Sequence, residues 1–311
     1  MRAVSFVNSV PDIVEIEDPV PKPRQLLVKV ASCGLNGADM LQATGNYPPP
    51  IGAPDTPGLE LAGTVVSAGE DCRRFSVWDN VMAVVSGGGQ AEFCALDESL
   101  AIPVSDGHDL SIMGGVPEVV STAHDALFTQ AGLQMGERVC IHGAAGGVGT
   151  AAVQLAAVAG AQVTATVRNE ELRDNVAALG ADVVDPKDFV RSGPFDVILE
   201  LVGAPNWPGN IQALAVEGRI SVIGVGAGPK VDINLVHLMG KRARLFASTL
   251  RARPLAQRAT VARLVERHVM PAIDHGSIRI PVADRFSLDD AAAAYDRFRA
   301  GGKFGKVVLN P

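Results

Sequence analysis

Cysteines are scarce in this chain of 311 residues, which has only four: Cys33, Cys72, Cys94 and Cys140. No two of them form a CxxC pair, and their wide spacing does not suit a dense disulfide framework in so long a chain. We therefore expect all four thiols to be reduced and the protein to be cytoplasmic.

Clusters of basic residues and long apolar runs are also missing. With a formal net charge of -7 and no run rich in Lys or Arg, the chain lacks the positive surface that binds nucleic acid or anionic membranes. No apolar stretch approaches the length that spans a bilayer. Asp12, Glu15, Glu17 and Asp18 interrupt the first twenty residues, where a signal peptide would be apolar. We expect neither a nucleic-acid partner nor a membrane partner.

The pattern of hydrophobic residues predicts two domains. Such residues make up 47% of the chain, which is enough to bury a large core. Residues 1–112 contain short alternating segments broken by Gly and Pro, as in mostly antiparallel β domains. Residues 113–274 alternate short apolar strands with helices, which predicts a doubly wound parallel sheet. Residues 275–311 return to the first pattern, so we predict an α/β fold in which the parallel domain is inserted into the β domain.

Two further helical segments are predicted, one before the alternating strands and helices and one in the tail. Residues 112–132 are typical of one helical segment. In the tail, Ser287 with Asp290 three residues later is close to a capping box and predicts a helix over residues 287–299. A closing strand is then expected over residues 306–309.

The strongest single motif is a glycine-rich turn within residues 138–149, which read RVCIHGAAGGVG. Gly146, Gly147 and Gly149 have no side chains where a backbone must approach a pyrophosphate, and the helix from Val148 would face that charge with its N-terminus. Loops are also glycine-rich for purely conformational reasons. The strand before the turn and the helix after it supply the required context, so we predict a dinucleotide cofactor.

The end of the second strand of this domain predicts which dinucleotide binds. Counting 19 residues on from Gly149 gives Arg168, where NAD-binding domains carry an acidic residue for the ribose 2′-hydroxyl. A guanidinium can instead pair with the 2′-phosphate of NADPH. Arg173 could add a second positive charge. The alternative for both arginines is a solvated position at the start of a helix.

Several segments resemble the zeta-crystallin-like quinone oxidoreductases of the medium-chain dehydrogenase/reductase family. These are residues 34–50 (GLNGADMLQATGNYPPP), 57–63 (PGLELAG), 214–224 (LAVEGRISVIG), 248–251 (STLR) and 305–309 (GKVVL), together with the glycine turn. The resemblance covers nearly the whole chain. It implies a GroES-like catalytic domain over residues 1–112 and 275–311, with a Rossmann NADPH-binding domain inserted over residues 113–274.

The resemblance also bears on metal. Where zinc-dependent relatives place a cysteine and a histidine ligand, this chain has Asn36 and Leu59, and the four-cysteine loop of those relatives is missing. Asparagine is a poor zinc ligand and leucine is none. Cys140 and His142 lie two residues apart on one strand, where core packing is the better interpretation. We therefore expect no metal site.

Without a metal, the substrate must already be electrophilic, as quinones, enones and enoyl thioesters are. The resemblance implies that Asn36 and Tyr47 lie beside the nicotinamide, where an amide and a phenol can orient or protonate a carbonyl oxygen. A tyrosine before prolines is also a common packing device. We expect an NADPH-dependent quinone reductase. The alternatives are an enoyl or 2-alkenal double-bond reductase and a non-catalytic NADPH-binding redox sensor.

Further cofactor contacts are implied by the resemblance at later strand ends and in the tail: Thr122, Gly203, Gly224, Val225, Thr249, Leu250, Phe304 and Lys306. Two positions depart from the family pattern. Pro186 replaces a tyrosine found in many relatives, and Trp78 replaces a glycine. The family also implies a homodimer, for which residues 244–249 are the expected edge strand.

Overall fold

The computed structural model describes residues 1–311. Its strands, in chain order, are β1 (Arg2–Val7), β2 (Val10–Glu15), β3 (Gln25–Gly34), β4 (Glu60–Ala68), β5 (Asn80–Val84), β6 (Phe93–Asp97), β7 (Ala101–Pro103), β8 (Arg138–Ile141), β9 (Gln162–Thr166), β10 (Asp182–Val184), β11 (Phe195–Glu200), β12 (Leu214–Val222), β13 (Arg244–Ala247), β14 (Val282–Ser287) and β15 (Lys306–Asn310). Its α-helices are α1 (Gly37–Ala43), α2 (Leu110–Met113), α3 (Pro117–His124), α4 (Gly147–Val158), α5 (Arg173–Ala177), α6 (Trp207–Ala213), α7 (Leu235–Lys241), α8 (Leu255–His268), α9 (Met270–Asp274) and α10 (Ala291–Ala300). None of these helices has the length and apolar character needed to cross a membrane.

The chain forms two compact units, each built from separate segments. The first unit contains Met1–Ser121, Leu250–Asp274 and Val282–Pro311, and the second contains Thr122–Thr249 and His275–Pro281. The domain boundaries expected from the sequence, at residues 112 and 275, differ from the bounds of these units. The main difference is that the sequence-based boundaries assign residues 250–274 to the nucleotide-binding domain. Those boundaries stay a prediction.

The first unit is mostly antiparallel β structure, as the short alternating segments predict. Its main sheet has the order β14-β15-β3-β4-β5-β7, and β6 also pairs with β3. Only β14 and β15 pair in parallel. The alternation along β3 places Leu26, Val28 and Val30 in the core, where they pack with residues such as Leu61 and Tyr295. Burial of this face fixes the register of the sheet.

The second unit contains the predicted parallel sheet. Its six strands have the order β10-β9-β8-β11-β12-β13, and all five neighbouring pairs are parallel. In chain order this is 3-2-1-4-5-6, the arrangement of dinucleotide-binding domains. The order reverses between β8 and β11, so a ligand is expected beyond the C-terminal ends of these strands. The expected edge strand is confirmed, because β13 is the last strand of the sheet.

Candidate active site

The glycine-rich turn lies between β8 and α4, at the point where the strand order reverses. A Cβ on Gly149 would be 2.5 Å from the carbonyl oxygen of Gly143, so this glycine is required for the turn to close. A Cβ on Gly146 would have the Gly143 oxygen, at 3.5 Å, as its only neighbour within 4 Å. Protein packing therefore does not explain the missing side chain of Gly146. Gly146 lies beside Gly147 and Val148 at the start of α4, where a dinucleotide-binding domain is expected to hold the pyrophosphate.

The two arginines after β9 differ in their partners. The Arg173 guanidinium donates to Oδ2 of Asp185 at 2.7 Å and to Oε1 of Glu170 at 3.3 Å, so its charge is already paired. Arg168 is exposed, and no side chain of the protein pairs with it. Of the two predicted 2′-phosphate ligands, only Arg168 has a guanidinium available for an anion.

Glycines also determine how the loops after β11 and β12 meet. Gly203 has a φ of +114°, and a Cβ there would be 3.0 Å from Cα of Val225. A Cβ on Gly224 would be 2.5 Å from the carbonyl oxygen of Leu201. The structure therefore brings the predicted cofactor residues Gly203, Gly224 and Val225 together. The close approach of the two backbones explains both glycines, whereas Val225 is exposed.

Glu200, at the end of β11, was not singled out from the sequence, although it organises the same loop. It is only 1% exposed. Its Oε1 accepts the backbone N–H groups of Val202 at 2.7 Å and Gly203 at 2.8 Å, and its Oε2 accepts Nδ2 of Asn210 at 2.7 Å. A buried carboxylate is stable only with such a set of donors. Here they tie the loop to the strand.

His142 continues this network through both of its ring nitrogens. The amide of Asn210 donates to Glu200, so its Oδ1 accepts from Nε2 of His142 at 2.7 Å. Nδ1 of the same ring then accepts from the hydroxyl of Thr166, at 3.0 Å. Burial lowers the pKa of His142, which favours this neutral form. The residue is a hydrogen-bonded core histidine, in agreement with the sequence-based interpretation.

In the first unit, Asn36 belongs to a buried ionic cluster with Lys306 and Glu60. The ammonium of Lys306 donates to Oε1 of Glu60 at 2.6 Å, to Oδ1 of Asn36 at 2.8 Å and to the carbonyl oxygen of Leu35 at 2.7 Å. All three of its protons are used. Its side chain is 3% exposed and that of Glu60 is 0% exposed. Its ammonium therefore has no proton left to donate to a cofactor, which is the role that the resemblance implied for Lys306.

The hydrogen bonds of Asn36 limit what its amide can do. Its Nδ2 donates to Oε1 of Glu60 at 2.9 Å and to the carbonyl oxygen of Gly34 at 3.3 Å. With both protons committed, the remaining capacity is one acceptor position on Oδ1. The amide therefore has no proton left to donate to a substrate carbonyl, although the sequence suggested that role for it.

Asp39 fixes the main chain of Asn36 where α1 begins. Its Oδ2 accepts the N–H of Asn36 at 2.8 Å, and its Oδ1 accepts the N–H of Gly58 at 3.3 Å. Burial raises the pKa of the Asp39 carboxyl to about 6, although these hydrogen bonds and Lys306 lower it in part. Leu59, the other position where relatives hold zinc, is a buried apolar residue.

Tyr47 is half-buried and lies against Arg251. Nη1 of Arg251 donates to the carbonyl oxygen of Tyr47 at 3.0 Å, and the guanidinium carbon is 5.3 Å from the centre of the tyrosine ring. Among the other predicted cofactor residues of the first unit, Leu250 is buried and Phe304 is half-buried. In the second unit, Thr122 is buried and Thr249 is exposed.

Comparison with known proteins agrees with this architecture. Residues 22–130 match the alcohol dehydrogenase GroES-like domain, and residues 147–267 match the family described as zinc-binding dehydrogenase. The rat quinone oxidoreductase is 28% identical over 99% of this chain and 97% of its own. A solved quinone oxidoreductase of Pseudomonas syringae pv. tomato covers 100% of this chain and 99% of its own, with 26% identity and a TM-score of 0.86. A mycobacterial protein solved with NADPH covers 100% of both chains, with 26% identity and a TM-score of 0.87.

Together, the GroES-like domain and the dinucleotide-binding sheet define an oxidoreductase of the medium-chain dehydrogenase/reductase class that binds a nicotinamide cofactor. Within this class, the chain belongs to the zinc-free quinone oxidoreductase family. At the positions where the resemblance places a cysteine and a histidine ligand in zinc-dependent relatives, this chain has Asn36 and Leu59.

Proposed function

We propose that this protein is an NADPH-dependent quinone reductase that works without zinc. The observation that carries the choice of cofactor is the exposed, unpaired guanidinium of Arg168 after the second strand of the parallel sheet. It can accept a 2′-phosphate through charge-assisted hydrogen bonds, whereas an NAD-specific site offers a carboxylate there. The mycobacterial neighbour solved with NADPH supports the same choice.

In this proposal the chain's own residues position and protonate the substrate. When bound, the nicotinamide supplies a hydride. The turn at Gly146 and Gly147 holds the pyrophosphate, and Arg168 holds the 2′-phosphate. The phenol of Tyr47 donates a hydrogen bond or a proton to the substrate oxygen on which negative charge develops. Asn36 can only accept a hydrogen bond at its free Oδ1 position, so it orients a hydroxyl or amide donor.

A substrate panel tests the proposed reaction. Quinones, enones and enoyl thioesters are incubated with NADPH, and its consumption is followed. We expect quinones to be turned over with the highest kcat/KM, because a quinone accepts hydride without metal activation. A clear preference for enones or enoyl thioesters would instead identify a double-bond reductase. Turnover of none of them would identify a redox sensor.

Replacing Tyr47 with phenylalanine is expected to lower turnover of enones by about a hundredfold, the usual contribution of a general acid, with a smaller loss for quinones, whose reduced oxygen can take a proton from water. NADPH affinity should hardly change. The matched control is Tyr295→Phe, which removes the other tyrosine hydroxyl, a buried donor to Gln90. An unchanged rate for every substrate in Tyr47→Phe would reduce Tyr47 to a packing residue.

We also propose a homodimer formed through the edge strand β13. Leu245 on this strand is 40% exposed, and α7 adds three exposed apolar residues, Leu235, Val236 and Met239, with exposed fractions between 67% and 74%. Light scattering at micromolar concentration is expected to give the mass of a dimer. Leu245→Lys should weaken the dimer, and Val216→Lys is the control, since Val216 is exposed on β12 instead. A stable wild-type monomer would contradict this proposal.

A further inference from the structure

Arg251 is a buried arginine whose partners are all uncharged. Its Nε donates to the carbonyl oxygen of Ser86 at 2.8 Å, Nη1 to that of Tyr47 at 3.0 Å, and Nη2 to Oε1 of Gln42 at 2.6 Å. Only 4% of the residue is exposed. A buried charge without a carboxylate in contact costs free energy. A residue kept under these conditions is a candidate for a functional role.

The charge of Arg251 lies against the ring of Tyr47. The distance of 5.3 Å from the guanidinium carbon to the ring centre is within the range of a cation–π contact. A phenolate carries more negative charge than a phenol, so a fixed cation beside it favours ionisation. The same guanidinium also binds the main-chain carbonyl of Tyr47. Arg251 therefore contributes both to the position of the ring and to its electrostatic surroundings.

Two of the residues that accept hydrogen bonds from Arg251, Gln42 and Ser86, make further hydrogen bonds. Nε2 of Gln42 donates to the carbonyl oxygen of Asp55 at 2.9 Å, and the hydroxyl of Ser86 donates to the carbonyl oxygen of Arg251 at 3.0 Å.

Three groups act electrostatically on the guanidinium. Burial lowers the pKa of Arg251, and attraction to Asp39, Tyr47 and Glu118 partly offsets this. An arginine remains protonated in a protein. Among these three groups, Tyr47 is the one that the guanidinium contacts.

We propose that Arg251 is a positioning residue for Tyr47, which fixes the tyrosine in place and makes its phenol a stronger acid. This inference rests on the proposed function, in which the proton moves from Oη of Tyr47 to the substrate oxygen and is then recovered from water. Efficient proton transfer requires an acid whose pKa approaches the working pH. The expected effect is therefore on kcat, and it is largest for enones, whose enolate oxygen needs the proton.

The tyrosine content of the chain allows this to be measured without enzyme activity. There are only two tyrosines. Tyr295 is fully buried and donates to Oε1 of Gln90 at 2.9 Å, and burial raises its pKa well above the ordinary value. The first phenolate absorbance to appear as the pH rises is therefore expected to report Tyr47. Its loss in Tyr47→Phe checks the assignment.

Arg251→Met is expected to move this first titration step upward by about 0.5–1.5 pH units, because the fixed positive charge attracts the phenolate more strongly than the phenol. It should also lower kcat for enones by about threefold to tenfold, with little change in the KM for NADPH. Arg251→Lys keeps the charge but loses the three-way hydrogen bonding, so the step should stay within about half a unit of wild type while kcat still falls. The control is Arg258→Met, because Arg258 is a half-buried arginine that donates to a different carbonyl oxygen, that of Val84.

If Arg251→Met folds and its first phenolate titration step lies at the same pH as in wild type, the proposal is overturned. If circular dichroism shows that this variant does not fold, Arg251→Lys decides, and a shift of more than one unit despite the retained charge would overturn it. Failure of the proposed function is distinguishable. Unchanged turnover in Tyr47→Phe would remove the catalytic role of Tyr47, whereas the shift in Arg251→Met would still establish the action of Arg251 on the phenol.

Discussion

Lys306→Met is expected to lower the free energy of unfolding by about 3–5 kcal/mol, the range for removing one partner of a buried ion pair. The reason is that the Glu60 carboxyl would be left buried with no cation beside it. Its side chain is fully buried, and Oε1 would retain only the amide of Asn36 as a donor. Chemical denaturation of wild type and variant, followed through the transition of the first unit, measures the loss.

Two further variants separate this effect from simple loss of a lysine. Lys303→Met removes a half-buried lysine of the same tail that lies over the ring of Phe298 and has no ion pair, and it should change stability much less. Adding Glu60→Gln to Lys306→Met removes both charges and should recover part of the loss, because burying two neutral groups costs less than burying one charge. A loss below about 1 kcal/mol in Lys306→Met alone would show that the pair contributes little.

The ammonium of the ion pair between Lys306 and Glu60 contacts a residue at one of the positions where zinc-dependent relatives hold a metal ligand. Asn36 matches a ligand position by resemblance, and the structure places an ammonium 2.8 Å from its Oδ1. A fixed positive charge is therefore present, but all three of its protons are held by the protein. It stabilises the cluster and has none left to polarise a substrate oxygen. This supports Tyr47 as the hydrogen-bond or proton donor in the proposed function.

Much of the fold could be predicted because its signals are local and periodic. Strands alternating with helices predicted the parallel sheet, and short alternating segments predicted the antiparallel one. Errors occurred where backbones approach closely. Residues 112–132 were predicted as one helix, but α2 ends at Met113 and α3 begins at Pro117. Gly114 between them packs against the main chain of Ser32 in β3, and such a distant partner is not visible in a local pattern.

The site was predictable where a motif has a fixed offset and not where contacts are distant in sequence. Glu200 follows an apolar strand, and only the fold brings Asn210 to it. In the tail, Ser287 lies at the N-cap of the first helical turn, as expected, but its side chain does not make the capping hydrogen bond. The hydroxyl of Ser287 donates to the carboxylate of Asp290 and caps no backbone N–H. The hydrogen bond from the N–H of Asn36 to the carboxylate of Asp39, at the start of α1, was missed.

Cofactor choice should depend on Arg168, which is expected to set the ratio of the kcat/KM values for NADPH and NADH. A hydrogen bond to a charged group contributes about 1.5–3 kcal/mol, and about 1.4 kcal/mol is a factor of ten. Arg168→Ala should therefore weaken the use of NADPH by about ten- to a hundredfold. NADH lacks the 2′-phosphate, so its use should hardly change. Steady-state kinetics with both cofactors measures the ratio.

The remaining variants test whether the position or merely the charge matters. Arg168→Asp should go further than alanine, because a carboxylate repels the 2′-phosphate and offers NADH an acceptor for its ribose hydroxyls. Arg173→Ala is the matched control, since that guanidinium is already paired with Asp185 and Glu170, and it should leave the ratio nearly unchanged. A wild type that prefers NADH, or a ratio that falls in Arg173→Ala but not in Arg168→Ala, would assign the 2′-phosphate to another group and refute the role of Arg168.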